Sequence, residues 1–238
     1  MKKRRISYKK LSIFIFIILF FFFMRGCFDK KGVADDSLSR FPKRSDIKDI
    51  TYNRVILIGD SRMENILKRK DYIDIPVNFK IIAKGGATIK WFKEEALPYL
   101  EELLDSKNSK YKYHVVINQG VNDLNLNDKK SPEYHSSTYT EIYDDLLNKY
   151  KDVDFYILSV NPIDEDVIDY YWNQTRTEKD VVDFNKYTIN WIYNTNHSNI
   201  KYCDSFNEME FMMLDGLHYT KQTDIDILNY IVNRCLKY

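Results

Sequence analysis

Two segments far apart in the chain hold the residue types needed for attack on a carbonyl: Ser61, which follows Gly59 and Asp60, and His218, three positions after Asp215. A serine hydroxyl becomes a competent nucleophile only when a base takes its proton, and a carboxylate must hold that base in the right tautomer. His218 and Asp215 meet both needs if one short turn carries them. Two further segments, Gly85-Gly86-Ala87-Thr88 and Gly120-Val121-Asn122-Asp123, join glycines to polar residues. Backbone N–H groups in such turns, or at a helix start, can receive a negatively charged oxygen. Together the four segments suggest acyl transfer through a serine. Singly, each has a plainer use: Ser61 as a helix N-cap, Gly85 and Gly86 as a positive-φ turn, Asn122 and Asp123 as a side-chain-stabilised turn, His218 as a satisfied buried or helix-start residue.

These groups can act together only if secondary structure delivers them to one place. Short apolar runs at Val55–Ile58, Phe79–Ala83, His114–Asn118, Phe155–Val160 and Ile200–Cys203 read as strands. Between them, helical periodicity marks Met63, Ile66 and Leu67; Ile89, Phe92, Ala96, Leu97, Leu100 and Leu104; Tyr139 to Tyr150; Val181 to Tyr193; and Ile225 to Cys235. Alternation of this kind predicts an α/β domain on a mainly parallel sheet of five strands. Ligands of such sheets bind at the carboxyl ends of the strands. Ser61, the Gly85–Gly86 pair and Asn122 follow the first, second and third strands, and His218 lies beyond the fifth.

With these residues at these positions, the sequence resembles the SGNH or GDSL-type hydrolases from about Arg54 to Leu236. Gly59-Asp60-Ser61 matches the first block, with Arg62 where the family name has leucine. Gly86-Ala87-Thr88, Gly120-Val121-Asn122-Asp123 and Asp215-Gly216-Leu217-His218 match the others in order. The resemblance implies a three-layer α/β/α, flavodoxin-like fold. It also implies a catalytic set of Ser61, Asp215 and His218, and an oxyanion hole formed by the Ser61 and Gly86 N–H groups with the Asn122 side-chain amide, Gly85 being the alternative to Gly86. Asp60 is expected to brace the nucleophile loop and Asp123 its turn. His114, His135 and His197 lack a partnering pattern and are expected at the surface or in packing. Because the histidines are scattered, no metal or other cofactor is expected.

Charge sets the remaining bounds. With 36 basic and 35 acidic residues, no global basic field points to nucleic acid. The N-terminus differs: Lys2, Lys3, Arg4, Arg5, Lys9 and Lys10 precede the apolar stretch from Leu11 to Met24. A basic flank before an apolar run is an export signal with the N-terminus in the cytoplasm. The run spans only roughly 21 Å as a helix, short for a membrane crossing, but Arg25 interrupts any small-residue cleavage site. The sequence therefore predicts residues 1–28 as a basic tail and single-pass membrane-anchor helix, 29–50 as an extracytoplasmic linker, and 51–238 as the catalytic domain. A secreted form, or one lipid-anchored at Cys27, is the alternative.

An outward-facing enzyme near a membrane meets cell-envelope glycans, and many relatives in the resembled family remove or transfer acetyl groups on carbohydrate. An acylated carbohydrate is the substrate implied, with Tyr170, Tyr171 and Trp172, on the segment after the fourth strand, as candidate sugar-stacking residues. An O-acyltransferase with the same serine chemistry and a non-catalytic envelope-assembly or binding protein of the same fold are the rivals. Cys203 and Cys235 are candidates to pair outside the cell.

Overall fold

A computed structural model of the protein describes residues 53–236, apart from 71–72, 74, 77, 126–128 and 173–175 and the side chains of 169–172. The five apolar runs become strands β1 (Asn53–Gly59), β2 (Phe79–Ala83), β3 (Lys112–Asn118), β4 (Val153–Leu158) and β5 (Ile200–Cys203). They form one sheet in the order β2-β1-β3-β4-β5, and every neighbouring pair is parallel. The strand order reverses at β1, so the crevice between the ends of β1 and β3 is where such a sheet binds ligands.

The inner strands β1, β3 and β4 are largely apolar on both faces because both are covered, whereas the edge strands β2 and β5 expose Lys80 and Lys201. Ile56 and Ile58 of β1, Val115 and Ile117 of β3, and Phe155 and Ile157 of β4 share one buried cluster with three helical runs. These runs are α2 (Ile89–Trp91, Phe92–Ala96 and Leu97–Asp105 in succession), α3 (Pro132–Lys149) and α5 (Glu178–Asn194). Residues of opposite parity, including Val55, Leu57, Val116 and Tyr156, are also buried but lie outside that cluster. They face the second layer, built from α1 (Ser61–Lys68) and α7 (Lys221–Tyr230, continued by Ile231–Cys235), which are joined by an Arg69–Asp224 ion pair. Each fully buried Leu, Ile or Phe contributes about 1.5–3 kcal/mol to this core.

Two shorter helices complete the described fold: α4 (Glu165–Trp172) and α6 (Ser205–Glu208). Sequence periodicity marks neither of them. A Cys203–Cys235 disulfide fastens the end of α7 to the edge strand β5. Among the described residues, no helix is long and apolar enough to cross a membrane. The anchor helix expected over residues 11–24, and the linker after it, lie outside the described residues and gain no support from them.

Candidate active site

Parallel pairing brings three of the four segments to one level. Gly59, the last residue of β1, pairs with Ala83 of β2 on one side and Asn118 of β3 on the other. The chain that continues from each strand therefore leaves the same edge of the sheet, with neighbouring strands roughly 4.8 Å apart.

The β1 exit is a sharp turn into a helix. A Cβ on Gly59 would lie 2.1 Å from Met63 Cγ, so only glycine lets α1 start this close to the strand. Asp60 is the N-cap, its Oδ1 accepting the Arg62 backbone N–H at 2.9 Å. Ser61 is thus the first residue of α1, where backbone N–H groups have no intrahelical partner.

The chain brings Asp215 and His218 to Ser61 in a tight turn. Gly216 occupies the left-handed region at φ 79°. Asp215 Oδ1 accepts the backbone N–H groups of Leu217 (3.1 Å) and His218 (2.7 Å). An antiparallel bridge between Met213 and Tyr219 closes the turn's base, and its tip is docked by the Asp164 N–H donating to Gly216 O at 2.8 Å, at the start of α4. His218 Nδ1 lies 2.8 Å from Asp215 Oδ2, and His218 Nε2 lies 2.9 Å from Ser61 Oγ. Burial pushes the Asp215 pKa up, but the bonds from the His218 ring and the two backbone N–H groups outweigh it and hold the carboxyl below its ordinary value. An ionised carboxylate only accepts, so Nδ1 carries the proton and Nε2 is left to accept from the serine hydroxyl.

The β2 and β3 exits supply the facing wall. Gly86, at φ 69°, is exposed, and a Cβ there would meet nothing within 4 Å; a Cβ on Gly85 would come within 3.0 Å of Glu64 Oε2. Gly120, at φ 126°, lies against the Phe184 ring, which a Cβ would approach to 2.7 Å. Asn122 Nδ2 donates to Ala87 O at 2.9 Å, which ties it to the segment holding Gly86. Asp123 accepts the Ile89 N–H at 3.0 Å and the Tyr139 hydroxyl at 2.8 Å, and so fastens this turn to the start of α2. Tyr170, Tyr171 and Trp172 are in the last turn of α4, and their side chains fall outside the described residues.

Several supporting side chains are not marked by any sequence motif. Arg62 is only 1% exposed. Its guanidinium pairs with Asp60, donates to Asn161 O at 3.2 Å and to the Tyr219 hydroxyl at 3.1 Å, and Tyr219 in turn donates to Pro162 O at 2.7 Å. The residue after Ser61 is thereby wired to the residue after His218. Arg176, also buried, donates to Asn122 Oδ1 at 3.3 Å. The only sequence signal for either is the departure from leucine at Arg62. Of the other histidines, His114 packs on Tyr156, His135 is buried, and His197 lies 2.9 Å from Asp144.

A family model described as GDSL-like lipase/acylhydrolase matches residues 39–231. No curated protein matches the sequence. Among solved structures, a GDSL-like lipase from Bacteroides thetaiotaomicron is similar at 17% identity and TM-score 0.57, covering 78% of this chain and 88% of its own. An aryl esterase from M. smegmatis is similar at 15% identity and TM-score 0.56, covering 77% of this chain and 99% of its own. Est24, a carbohydrate acetylesterase from Sinorhizobium meliloti, is similar at 13% identity and TM-score 0.52, covering 77% of this chain and 98% of its own. At these identities the likeness is one of fold.

Proposed function

From the premise that this chain belongs to the GDSL-like lipase/acylhydrolase family and is a carboxylic ester hydrolase, we propose that Ser61, His218 and Asp215 carry its chemistry. The observation behind this reading is the unbroken relay from Ser61 Oγ through both His218 nitrogens to Asp215. His218 Nε2 takes the hydroxyl proton as Ser61 Oγ bonds to the ester carbonyl carbon. The carbonyl electrons move to oxygen, which is received by the Ser61 and Gly86 N–H groups and the Asn122 amide. As the oxyanion collapses, the carbon–oxygen bond to the alcohol breaks and His218 returns the proton to the leaving oxygen. Water, deprotonated by the same nitrogen, then releases the acid and restores Ser61.

The substrate within this proposal is an O-acetyl or other short acyl ester on cell-envelope carbohydrate, met by a domain outside the cytoplasm. The basic-then-apolar N-terminus supports export. So does the Cys203–Cys235 disulfide, since such bonds persist in oxidising compartments. A carbohydrate acetylesterase among the structures of similar fold supports the substrate class. Tyr170, Tyr171 and Trp172 are proposed to stack on the sugar, so Trp172→Ala should raise KM for a glycan ester and leave kcat unchanged.

The test is acetate release from acetylated glycans and from p-nitrophenyl acetate by the full chain, with Ser61→Ala as control. Loss of activity and of fluorophosphonate labelling in the variant is expected. Wild-type activity in Ser61→Ala would overturn the mechanism, and transfer of the acyl group to an added sugar hydroxyl instead of water would redirect it to an acyltransferase.

A further inference from the structure

Arg176 is a buried cation that has no ion-pair partner among the described residues. It is 5% exposed, and among the described residues its one hydrogen bond goes from Nη2 to Asn122 Oδ1, while Nε and Nη1 have no partner. Leaving two guanidinium donors unpaired away from water is costly, so a fold retains such a group only against a compensating gain. Burial and the nearby Arg62 charge both lower its pKa, with Asp60 and Asp123 opposing them. A guanidinium nevertheless stays protonated in proteins.

The gain lies in what Arg176 does to the Asn122 amide. A side-chain amide has an acceptor end and a donor end that are nearly isosteric, so its orientation is decided by its neighbours. At Asn122 those neighbours leave no freedom. Arg176 can only donate and meets Oδ1, while the Ala87 carbonyl can only accept and meets Nδ2 at 2.9 Å. The inverted amide would set N–H against guanidinium and oxygen against oxygen. One Nδ2 hydrogen is used on Ala87, which leaves the second for a further acceptor. A cation on the amide oxygen also draws electron density from the nitrogen, which strengthens that remaining N–H as a donor.

We propose that Arg176 is a positioning residue of the oxyanion site, which locks the Asn122 amide with its N–H toward the reacting carbonyl oxygen and polarises it. The proposal rests on the oxyanion role given to Asn122 above. Because the amide's help grows as negative charge develops, the contribution appears in kcat and not in KM.

The test is a double-mutant cycle on the full chain with p-nitrophenyl acetate, reading kcat, KM and the thermal unfolding midpoint of each variant. Arg176→Met should lower kcat about tenfold with KM within about twofold, a share of the roughly 10²–10³-fold that a whole oxyanion donor supplies. In the Asn122→Ala background the same substitution should change kcat less than about twofold, since the group it acts through is gone. Arg176→Gln, which keeps a neutral donor for Oδ1, should recover part of the loss. Two results would overturn the proposal: losses that multiply in the double variant, or an Arg176→Met enzyme that folds and retains wild-type kcat. If Arg176→Met does not fold, the cycle is run with Arg176→Gln, where multiplying losses are equally decisive. Wild-type kcat in Asn122→Ala would instead remove the oxyanion role of Asn122, and wild-type activity in Ser61→Ala would remove the whole mechanism, so the three failures can be told apart.

Discussion

Replacing Arg62 by leucine, the residue the family name carries at this place, should damage this protein even though it restores the common pattern. Asp60 and Arg62 are 0% and 1% exposed, and among the described residues the guanidinium is the only cationic side chain bonded to that carboxylate. Leucine has nearly the same volume, so little cavity forms, and the cost comes from the stranded charge. Removing one partner of a buried pair costs about 3–5 kcal/mol. For a domain of this size each kcal/mol moves Tm by about 2–4 °C, so the midpoint should fall by on the order of 10 °C. Adding Asp60→Asn removes the stranded charge and keeps a good N-cap for α1. The double variant should therefore regain at least half of the lost stability. Activity should not return to the same extent, because the link from Arg62 to Tyr219, the neighbour of His218, stays broken. Thermal unfolding followed by circular dichroism, with kcat on p-nitrophenyl acetate, measures both. An Arg62→Leu variant within about 1 kcal/mol of wild type, or a double variant no more stable than it, would refute the stranded-charge reasoning.

Asp215→Asn should lower kcat by on the order of 10⁴-fold with little change in Tm, because the amide no longer dictates the His218 tautomer; a loss below tenfold would mean another group orients the ring. Gly216→Ala places a Cβ 2.6 Å from Asp164 O and 2.8 Å from Ile168 N at φ 79°. The strain, about 1–3 kcal/mol, should lift the turn from α4 and lower both kcat/KM and Tm, and unchanged values would show that the docking does not hold His218. Burial pushes the Asp224 carboxyl up to about 7 against the pull of Arg69. A native pKa above the unfolded one means the folded state binds the proton more tightly, so this stabilisation is complete below about pH 4 and is lost as pH rises toward 7. Urea midpoints should accordingly fall less for Asp224→Asn than for wild type between about pH 5 and about pH 8, and parallel curves would contradict the assignment.

What was legible in the sequence and what was not divide along a physical line. The inner strands are buried on both faces and so largely apolar, and the edge strands β2 and β5 keep apolar residues around one exposed lysine each, so all five could be read from short runs such as Val55–Ile58 and His114–Asn118. The four polar segments were legible because each follows such a run and because serine, histidine and carboxylate are useful only together; the contact between Ser61 and His218, 157 positions apart, is a demand of chemistry. Helix α4 leaves no periodic signal of its own, since it buries Ile168 against a turn that is distant in sequence. Nothing in the sequence marks Arg62 or Arg176 as buried, because an arginine's burial depends on partners that local pattern does not reveal. Beyond Asp60, two positions before it, the partners of Arg62 lie 99 and 157 positions away, and that of Arg176 lies 54 away. The two arginines stand behind different strand exits, one braced against the helix that begins at Ser61 and the other against Asn122. The Arg62 charge is balanced by Asp60 and braces the nucleophile turn, whereas the Arg176 charge is the one that the proposal above directs, through Asn122, at a developing oxyanion. The least legible residues are therefore the ones that act through other side chains, since their effect comes from what they hold in place and not from a reacting atom.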